Sequence, residues 1–274
     1  MQKLSGKVAL VSGSGRGIGR AIAEKLAREG ARVVVNDLDE APAMDTVKSI
    51  VDAGGEAVPC IGSVTDHDFA DQFVTTAIDN YERIDIIVNN AGYTWDSVIQ
   101  KLTDEQWNAM LDVHLSAPMR ILRAASSYIR DAAKQEAAME SEVFRKVVNV
   151  SSMTGLCGNG GQIAYGAAKA GILGVTRTLA KEWGRYKVNV NCVAFGVIET
   201  RLTQVLESDA SIEMQGKHLK VGMQQGFRDQ LEQAIPLGRV GTAQEGADAV
   251  YLFCSPESNY ISGQLVNCSG GLRT

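Results

Sequence analysis

The sequence has no run of eighteen apolar residues, which excludes a membrane-spanning helix of ordinary length. Cysteine is sparse and unpatterned: the five, at 60, 157, 192, 254 and 268, are odd in number and form no Cys-x-x-Cys pair. That excludes a disulfide framework and a zinc ribbon, and the five read as small buried residues of a reducing compartment. No His, Cys and carboxylate cluster with ligand spacing occurs, so no metal is expected. Neither sign of charge is concentrated, since 27 Lys and Arg stand against 32 Asp and Glu without a long run of either. This balance argues against nucleic acid as a partner. Repeats, low-complexity tracts and linkers are also missing, so the 274 residues are expected to form one domain, 1–274. The N-terminal MQKLSGKVALVSG enters a strand at once, without the basic and apolar regions of a signal peptide, and a cytoplasmic location is the expectation.

What is present alternates apolar runs with amphipathic segments. Val8 to Val11 is a short apolar run that stops at Ser12-Gly13, as a buried parallel strand does on entering a tight loop. The stretch Ser12-Gly13-Ser14-Gly15-Arg16-Gly17-Ile18-Gly19 then leads into RAIAEKLAREG, a helix closed by Gly30. Strand, glycine loop and helix start make a place for a pyrophosphate, because glycines let backbone approach and a helix N-terminus offers free N–H groups. Further strands are expected at Arg32–Asp37, Ala57–Ile61, Ile84–Val88, Val147–Val150, Val188–Ala194 and Ile261–Asn267. Helices are expected from about Ala41 to Ala53, over Phe69–Tyr81 with Asp66 and Asp68 as caps, from Asp104 onward, through Tyr165, and over Ala243–Cys254. Such alternation predicts a single doubly wound parallel seven-stranded α/β sheet with helices on both faces and a ligand across the C-terminal strand ends.

The segment around Tyr165 carries the chemistry. Lys169 lies four residues on, so a helix would point phenol and ammonium into one cleft, and Ser152 can join them from the end of the preceding strand. A phenol is a poor base at neutral pH, but a fixed ammonium favours the phenolate and lowers its pKa. Tyr165 then becomes a usable acid/base, Lys169 its electrostatic partner and Ser152 a hydroxyl that holds a substrate oxygen. Taken alone, Tyr-x-x-x-Lys is a common chance pattern.

It follows the glycine loop and an Asn89-Asn90-Ala91-Gly92 segment, and in that order the set resembles the classical short-chain dehydrogenases/reductases from Lys7 to about Gly271. The resemblance implies a Rossmann-like fold and reversible hydride transfer between a nicotinamide and a carbonyl carbon. Ser152 would hold the oxygen, Tyr165 would move its proton, and Lys169 would bind the nicotinamide ribose. It assigns the cofactor to Gly13, Ser14, Arg16, Gly17, Ile18, Gly19, Asp37, Ser63, Val64, Asn90, Ala91, Gly92, Tyr165, Lys169, Gly196, Ile198 and Thr200. Asp37, at the end of the second strand, favours NAD(H), because a carboxylate there accepts from the ribose hydroxyls and repels a 2′-phosphate. Arg16 in the glycine loop pulls toward NADP(H), which is the alternative.

Several positions depart from the family. Ser63 stands where relatives carry an aspartate for the adenine. His114 replaces an asparagine that kinks its helix and holds a water of the proton relay; it either holds that water through a ring nitrogen, with added pH sensitivity, or is a structural substitution. Phe195 replaces a proline, which is expected to loosen the backbone and to put a ring near the nicotinamide. RDAAKQEAAMESEVFRK reads as a lengthened helix that offers an extended surface or subunit contact. Residues 201–234 fall where relatives keep a mobile substrate lid.

Gly158-Asn159-Gly160-Gly161-Gln162 beside Tyr165 looks like the 3-oxoacyl-(acyl-carrier-protein) reductases of the family. A 3-oxoacyl or 3-hydroxyacyl thioester is therefore the leading substrate, with Arg145, Lys146, Arg185 and Lys187 available to an acidic carrier or a coenzyme A phosphate. Oxidation of another secondary alcohol (steroid, sugar or polyol) and a low-turnover cofactor-binding sensor are the alternatives. By resemblance the assembly is a homotetramer, with neither nucleic acid nor membrane as partner.

Overall fold

The computed structural model describes residues 2–200, 211–214, 217–220 and 225–272. Seven strands, β1 (Val8–Val11), β2 (Arg32–Asp37), β3 (Glu56–Ile61), β4 (Ile86–Asn89), β5 (Arg145–Ser152), β6 (Val188–Phe195) and β9 (Leu265–Cys268), form one sheet in the order β3-β2-β1-β4-β5-β6-β9. All six pairings are parallel. The strands read as unbroken apolar runs because both faces are covered. Val8, Leu10 and Val34 enter one core, while Ala9, Val11, Val33 and Val35 enter the other, following the two-residue period of the pleat.

Helices α1 (Gly17–Arg28), α2 (Glu40–Asp52) and α9 (Ala243–Cys254) supply the second core. The first core is closed by α3 (Phe69–Tyr81), α4 (Asp104–Leu111), α5 (Ala117–Ala138) and α7 (Ile163–Trp183), with the short α6 (Thr154–Cys157) between β5 and α7. Among the described residues no helix is long and apolar enough to cross a membrane.

Several expectations are corrected. The lengthened helix ends at Ala138, and residues 139–144 are not helical. Its last turn is fixed by Glu136, whose carboxylate takes both Nη atoms of the buried Arg145, at 2.8 and 2.6 Å. Asp68 stands at the start of α3 but makes no side-chain cap; its carboxylate meets the His67 ring instead. The last strand, Leu265–Cys268, starts later than the expected Ile261–Asn267: Gly263 already donates its N–H to Val190 O at 2.7 Å, but its positive φ of 75° breaks the extended backbone, and the ladder with β6 starts at Leu265. Of the lid expected over 201–234, residues 201–210, 215–216 and 221–224 lie outside the described residues. The rest forms an antiparallel pair, β7 (Ser211–Met214) with β8 (Lys217–Lys220), and helix α8 (Gln225–Ala234).

Arg145 and Lys146 begin β5, whereas Ser152 ends it, a separation of roughly 23 Å at about 3.3 Å per residue. Both are buried and engaged, so neither is available to a carrier or to coenzyme A. Arg185 and Lys187, just before β6, are exposed at that same end of the sheet, away from Ser152 within one chain. The Lys146 ammonium is held by Asn189 Oδ1 at 2.9 Å, Ser258 Oγ at 3.1 Å and Asn259 Oδ1 at 2.8 Å. Burial among these neutral oxygens pushes its pKa down to about 8 from 10.5.

Between those two values the unfolded chain binds more protons at this site than the native one, so its contribution to stability rises with pH across that window. Lys146→Met lacks the titration. Relative to the variant, the wild type is expected to gain roughly 3 kcal/mol between pH 8 and 10.5 in urea unfolding. A pH-independent difference between the two would contradict this account of Lys146.

Candidate active site

Parallel strands all deliver their C-terminal ends to one edge, and the candidate residues gather there. After β1 the chain turns through Ser12 to Arg16 and enters α1 at Gly17, where no side chain caps the helix and no acid occupies its first turn. Glycine is required in this turn. A Cβ on Gly19 would lie 2.0 Å from Gly13 O, and one on Gly13 would lie 2.7 Å from Ala91 Cα. The loop is braced from β4: Asn90 Nδ2 donates to Ser12 O at 3.1 Å and Gly13 O at 3.0 Å, and the Asn90 and Ala91 N–H groups donate to Ser12 Oγ. Asn36 completes the brace by accepting from Gly13 N at 3.1 Å and donating to the Cys60 and Gly62 carbonyls at 3.0 Å. Sequence reasoning passed over Ser12 and Asn36, because a polar residue at the end of a strand carries no signal of what it will meet.

Asp37 ends β2 beside the loop. Its Oδ2 accepts from Gly15 N and its Oδ1 from Asp39 N, both at 3.1 Å. A Cβ on Gly15 would lie 2.6 Å from Asp37 Oδ2, so this close approach also needs glycine. Arg16 is tied outward, its Nη2 to Asp39 Oδ2 at 2.8 Å. Ser63 Oγ bonds Thr65 Oγ1 at 2.7 Å, and Val64 packs in the core.

Ser152 ends β5 and Tyr165 and Lys169 lie on α7, which brings the three predicted groups together. The Ser152 hydroxyl faces the Tyr165 phenol, and Lys169 Nζ lies 5.7 Å from the centre of the Tyr165 ring. Loss of water raises the phenol pKa, opposed by the Ser152 hydroxyl and reinforced by the charge of Asp96. The sequence predicts the opposite direction. The difference arises because the phenol is itself buried, and this loss of water dominates; the Lys169 ammonium, pushed down to about 8 by its own burial, gives a hydrogen bond to Val150 O at 2.8 Å.

Between α4 and α5 the helix widens into a π-turn over Asp112–Ser116, centred on His114, where the sequence places a kink. The buried ring meets Tyr165 edge to face, with centroids 5.0 Å apart. Its Nε2 donates to Tyr93 O at 2.7 Å, which leaves Nδ1 as a lone-pair acceptor, buried and without a partner among the described residues. Burial and the nearby Lys169 charge push the His114 pKa well below 6.5. The ring therefore stays neutral near pH 7, and the pH sensitivity expected of it falls outside the neutral range.

On the far side, Thr200 faces the glycine loop; a Cβ on Gly17 would lie 3.5 Å from Thr200 Cγ2. Ile198 is buried against Gly241, and Gly196 donates its N–H to Cys268 O at 2.9 Å. Phe195 does not behave as the sequence suggests. Unlike proline it continues β6 in register with Ser152, and its O accepts from Met153 N at 2.9 Å. Its ring is buried in the core near Ile18 and Gly246 on the α9 side, so the backbone is fixed rather than loosened.

Comparison with known proteins finds relatives over nearly the whole chain. A family profile described as enoyl-(acyl carrier protein) reductase matches residues 13–273. The chain is 35% identical over 270 residues to the 3-oxoacyl-(acyl-carrier-protein) reductase of Thermotoga maritima, covering 98% of this chain and 99% of that one. It is 36% identical over 274 residues to the corresponding Synechocystis enzyme, covering 99% of each chain. A crystal structure of a putative gluconate dehydrogenase from Agrobacterium tumefaciens superposes with a TM-score of 0.84 at 27% identity, covering 98% of this chain and 97% of the other.

His114 and Gly92 are sterically coupled: a Cβ on Gly92 would lie 2.1 Å from His114 Cε1. Gly92→Ala is expected to destabilise the protein by about 1–3 kcal/mol through overpacking. The double variant with His114→Ala should recover most of that loss in thermal unfolding. Equal destabilisation in both backgrounds would show that the ring does not dictate the glycine.

Proposed function

Because the chain belongs to the short-chain dehydrogenase/reductase family, we propose that it is an NAD(P)-dependent oxidoreductase that interconverts the ketone of a 3-oxoacyl thioester with the secondary alcohol. The observation that carries this reading is the meeting of Ser152, Tyr165 and Lys169 at the end of β5, next to a glycine turn with an uncapped helix start. The names of relatives similar over nearly the whole chain support a thioester on acyl-carrier protein or coenzyme A over a steroid, sugar or polyol, and over a sensor.

The residues fit a dinucleotide. The close approaches at Gly13, Gly15 and Gly19 leave backbone without side chains where a pyrophosphate would lie against Ser14, Arg16, Gly17 and Ile18. Asp37 would hold the adenosine ribose, Ser63 and Val64 the adenine, Asn90, Ala91 and Gly92 the inner wall, and Gly196, Ile198 and Thr200 the carboxamide. When bound, the nicotinamide supplies the hydride taken up by the carbonyl carbon. Ser152 donates its hydroxyl hydrogen bond to the ketone oxygen, and Tyr165 transfers its phenolic proton to the same oxygen as negative charge develops there. The raised phenol pKa keeps that proton in place at neutral pH. Lys169 commits one of its three donors to Val150, leaving others for the nicotinamide ribose. His114 Nδ1 is the buried acceptor at which a water of the proton path would be held.

NAD(H) is the preferred cofactor in this reading, since Asp37 is fixed by two backbone N–H groups while the Arg16 charge is shared with Asp39. The whole chain acts as one dinucleotide-binding and catalytic unit, with 201–234 as the substrate cover, in the cytoplasm. The part-exposed Val266 and Ile261, with Leu252 and Tyr260 more fully exposed, favour a subunit contact near β9 of the expected homotetramer.

With acetoacetyl-CoA, nicotinamide absorbance is expected to fall faster with NADH than with NADPH, and crotonyl-CoA is expected to be inert. Tyr165→Phe should lose roughly 10²–10⁴-fold in kcat, as for removal of a general acid. Unaltered turnover in that variant would remove Tyr165 from the reaction. Asp37→Ala should narrow the NADH preference by about tenfold, the value of a charge-assisted hydrogen bond, and Asp39→Ala should raise NADPH use by freeing Arg16. A wild-type preference for NADPH would overturn the cofactor assignment.

A further inference from the structure

Gln162, immediately before α7, is the hub of a side-chain network on the rim of the site. Its amide oxygen accepts from Thr154 Oγ1 and Asn159 Nδ2, each at 3.0 Å, and its amide nitrogen donates to Asp96 Oδ2 at 2.8 Å. Two donors and one carboxylate leave the amide a single satisfying orientation. Its backbone carbonyl accepts from Gly166 N at 2.7 Å, which sets the first turn of the helix that carries Tyr165. Thr154 donates its own N–H to Ser152 Oγ at 3.2 Å. A hydrogen-bonded path therefore runs from Ser152 through Thr154 and Gln162 to Asp96, in the loop after β4.

Simple docking of two loops would not need these side chains. Ser97 N already donates to Gly161 O at 2.7 Å, which joins the same segments by backbone alone. Nor would docking need a charge, since Asp96 is exposed and a neutral side chain would serve there. The side-chain path adds orientation shared by the two groups that face the substrate oxygen. Resting on the reading of Tyr165 as proton donor, we propose that Asp96 and Gln162 are positioning residues, a clamp whose carboxylate–amide bond fixes the start of α7 and the Ser152 hydroxyl together.

The clamp also acts through charge. Tyr165 is faced by Ser152 from β5, His114 from the π-turn, Lys169 from its own helix and Asp96 from the loop after β4. Asp96 contributes the negative charge of that set, so its neutralisation eases ionisation of the phenol.

The test compares Asp96→Ala, Asp96→Asn, Gln162→Ala and the double alanine variant with acetoacetyl-CoA and NADH. In parallel, ionisation of Tyr165 is followed without substrate by tyrosinate absorbance, as the difference from Tyr165→Phe. Each alanine variant is expected to lose about tenfold in kcat, a modest case of misplacement, with KM for NADH unchanged. The double variant should be no worse than either single one, because the two residues act as one unit. Asp96→Asn, which can still accept from Gln162, should restore most of kcat while Tyr165 ionises at lower pH than in the wild type. Additive losses, full activity in both alanine variants, or a Tyr165 ionisation unmoved by Asp96→Asn would each overturn the clamp. Wild-type inactivity on acetoacetyl-CoA would count against the proposed substrate alone, and the Tyr165 titration would then decide the clamp.

Discussion

Parallel pairing of the strands is the constraint on which the rest depends. Because β1, β2, β4, β5 and β6 all point the same way, the residues that follow them fall on one edge. Ser12, Asp37, Asn90, Ser152 and Gly196 come from five separate stretches of chain, yet each stands at or just beyond the end of a strand. The brace of Ser12, Asn36 and Asn90 then converts this alignment into a fixed backbone trough. Buried N–H and C=O groups that a glycine turn would otherwise leave open are satisfied there by side chains. Rigidity of the loop is thus supplied from β2 and β4, leaving the start of α1 free to face an anion.

Two lysines show why a perturbed pKa does not identify an active site by itself. Lys146 and Lys169 are both buried and both pushed down to about 8 by loss of water. Lys146 sits where β5 begins, its ammonium enclosed by three neutral oxygens, one from β6 and two from the turn after α9. Lys169 sits where the same strand ends, with one donor on Val150 and the Tyr165 ring beside it. Which end of the strand each ammonium lies against, not the size of the perturbation, decides which groups it faces.

His114 illustrates a substitution whose consequences run through its neighbours. The ring is larger than an asparagine, and it fills the space above Gly92, so the glycine of the Asn-Asn-Ala-Gly segment is held there by sterics as well as by any ligand. Its Nε2 is committed to Tyr93 O, which fixes the tautomer and turns a bare acceptor inward. A neutral imidazole in this position offers one fixed lone pair near Tyr165. The charge it is known for elsewhere is suppressed by burial.

The sequence by itself determined the order of elements, because apolar runs and amphipathic stretches have different periods, and β2, α3 and α9 begin and end where that patterning puts them. It determined the glycine turn, and the Ser152, Tyr165 and Lys169 set, since those groups have local spacing that a helix and a strand end translate directly into proximity. Tertiary structure decided what depends on groups far apart in the chain. The pKa of Tyr165 rises because water is excluded and Asp96 lies near, neither of which a local spacing reveals. Arg145 and Lys146 look like surface charges in the sequence and are buried, because Glu136 and Asn189 arrive from other elements to pair them. Phe195 looked like a ring for the site and became core, because α9 packs over it. Periodicity records which face of an element is apolar, whereas the electrostatics of a site are set by whatever the fold brings against it.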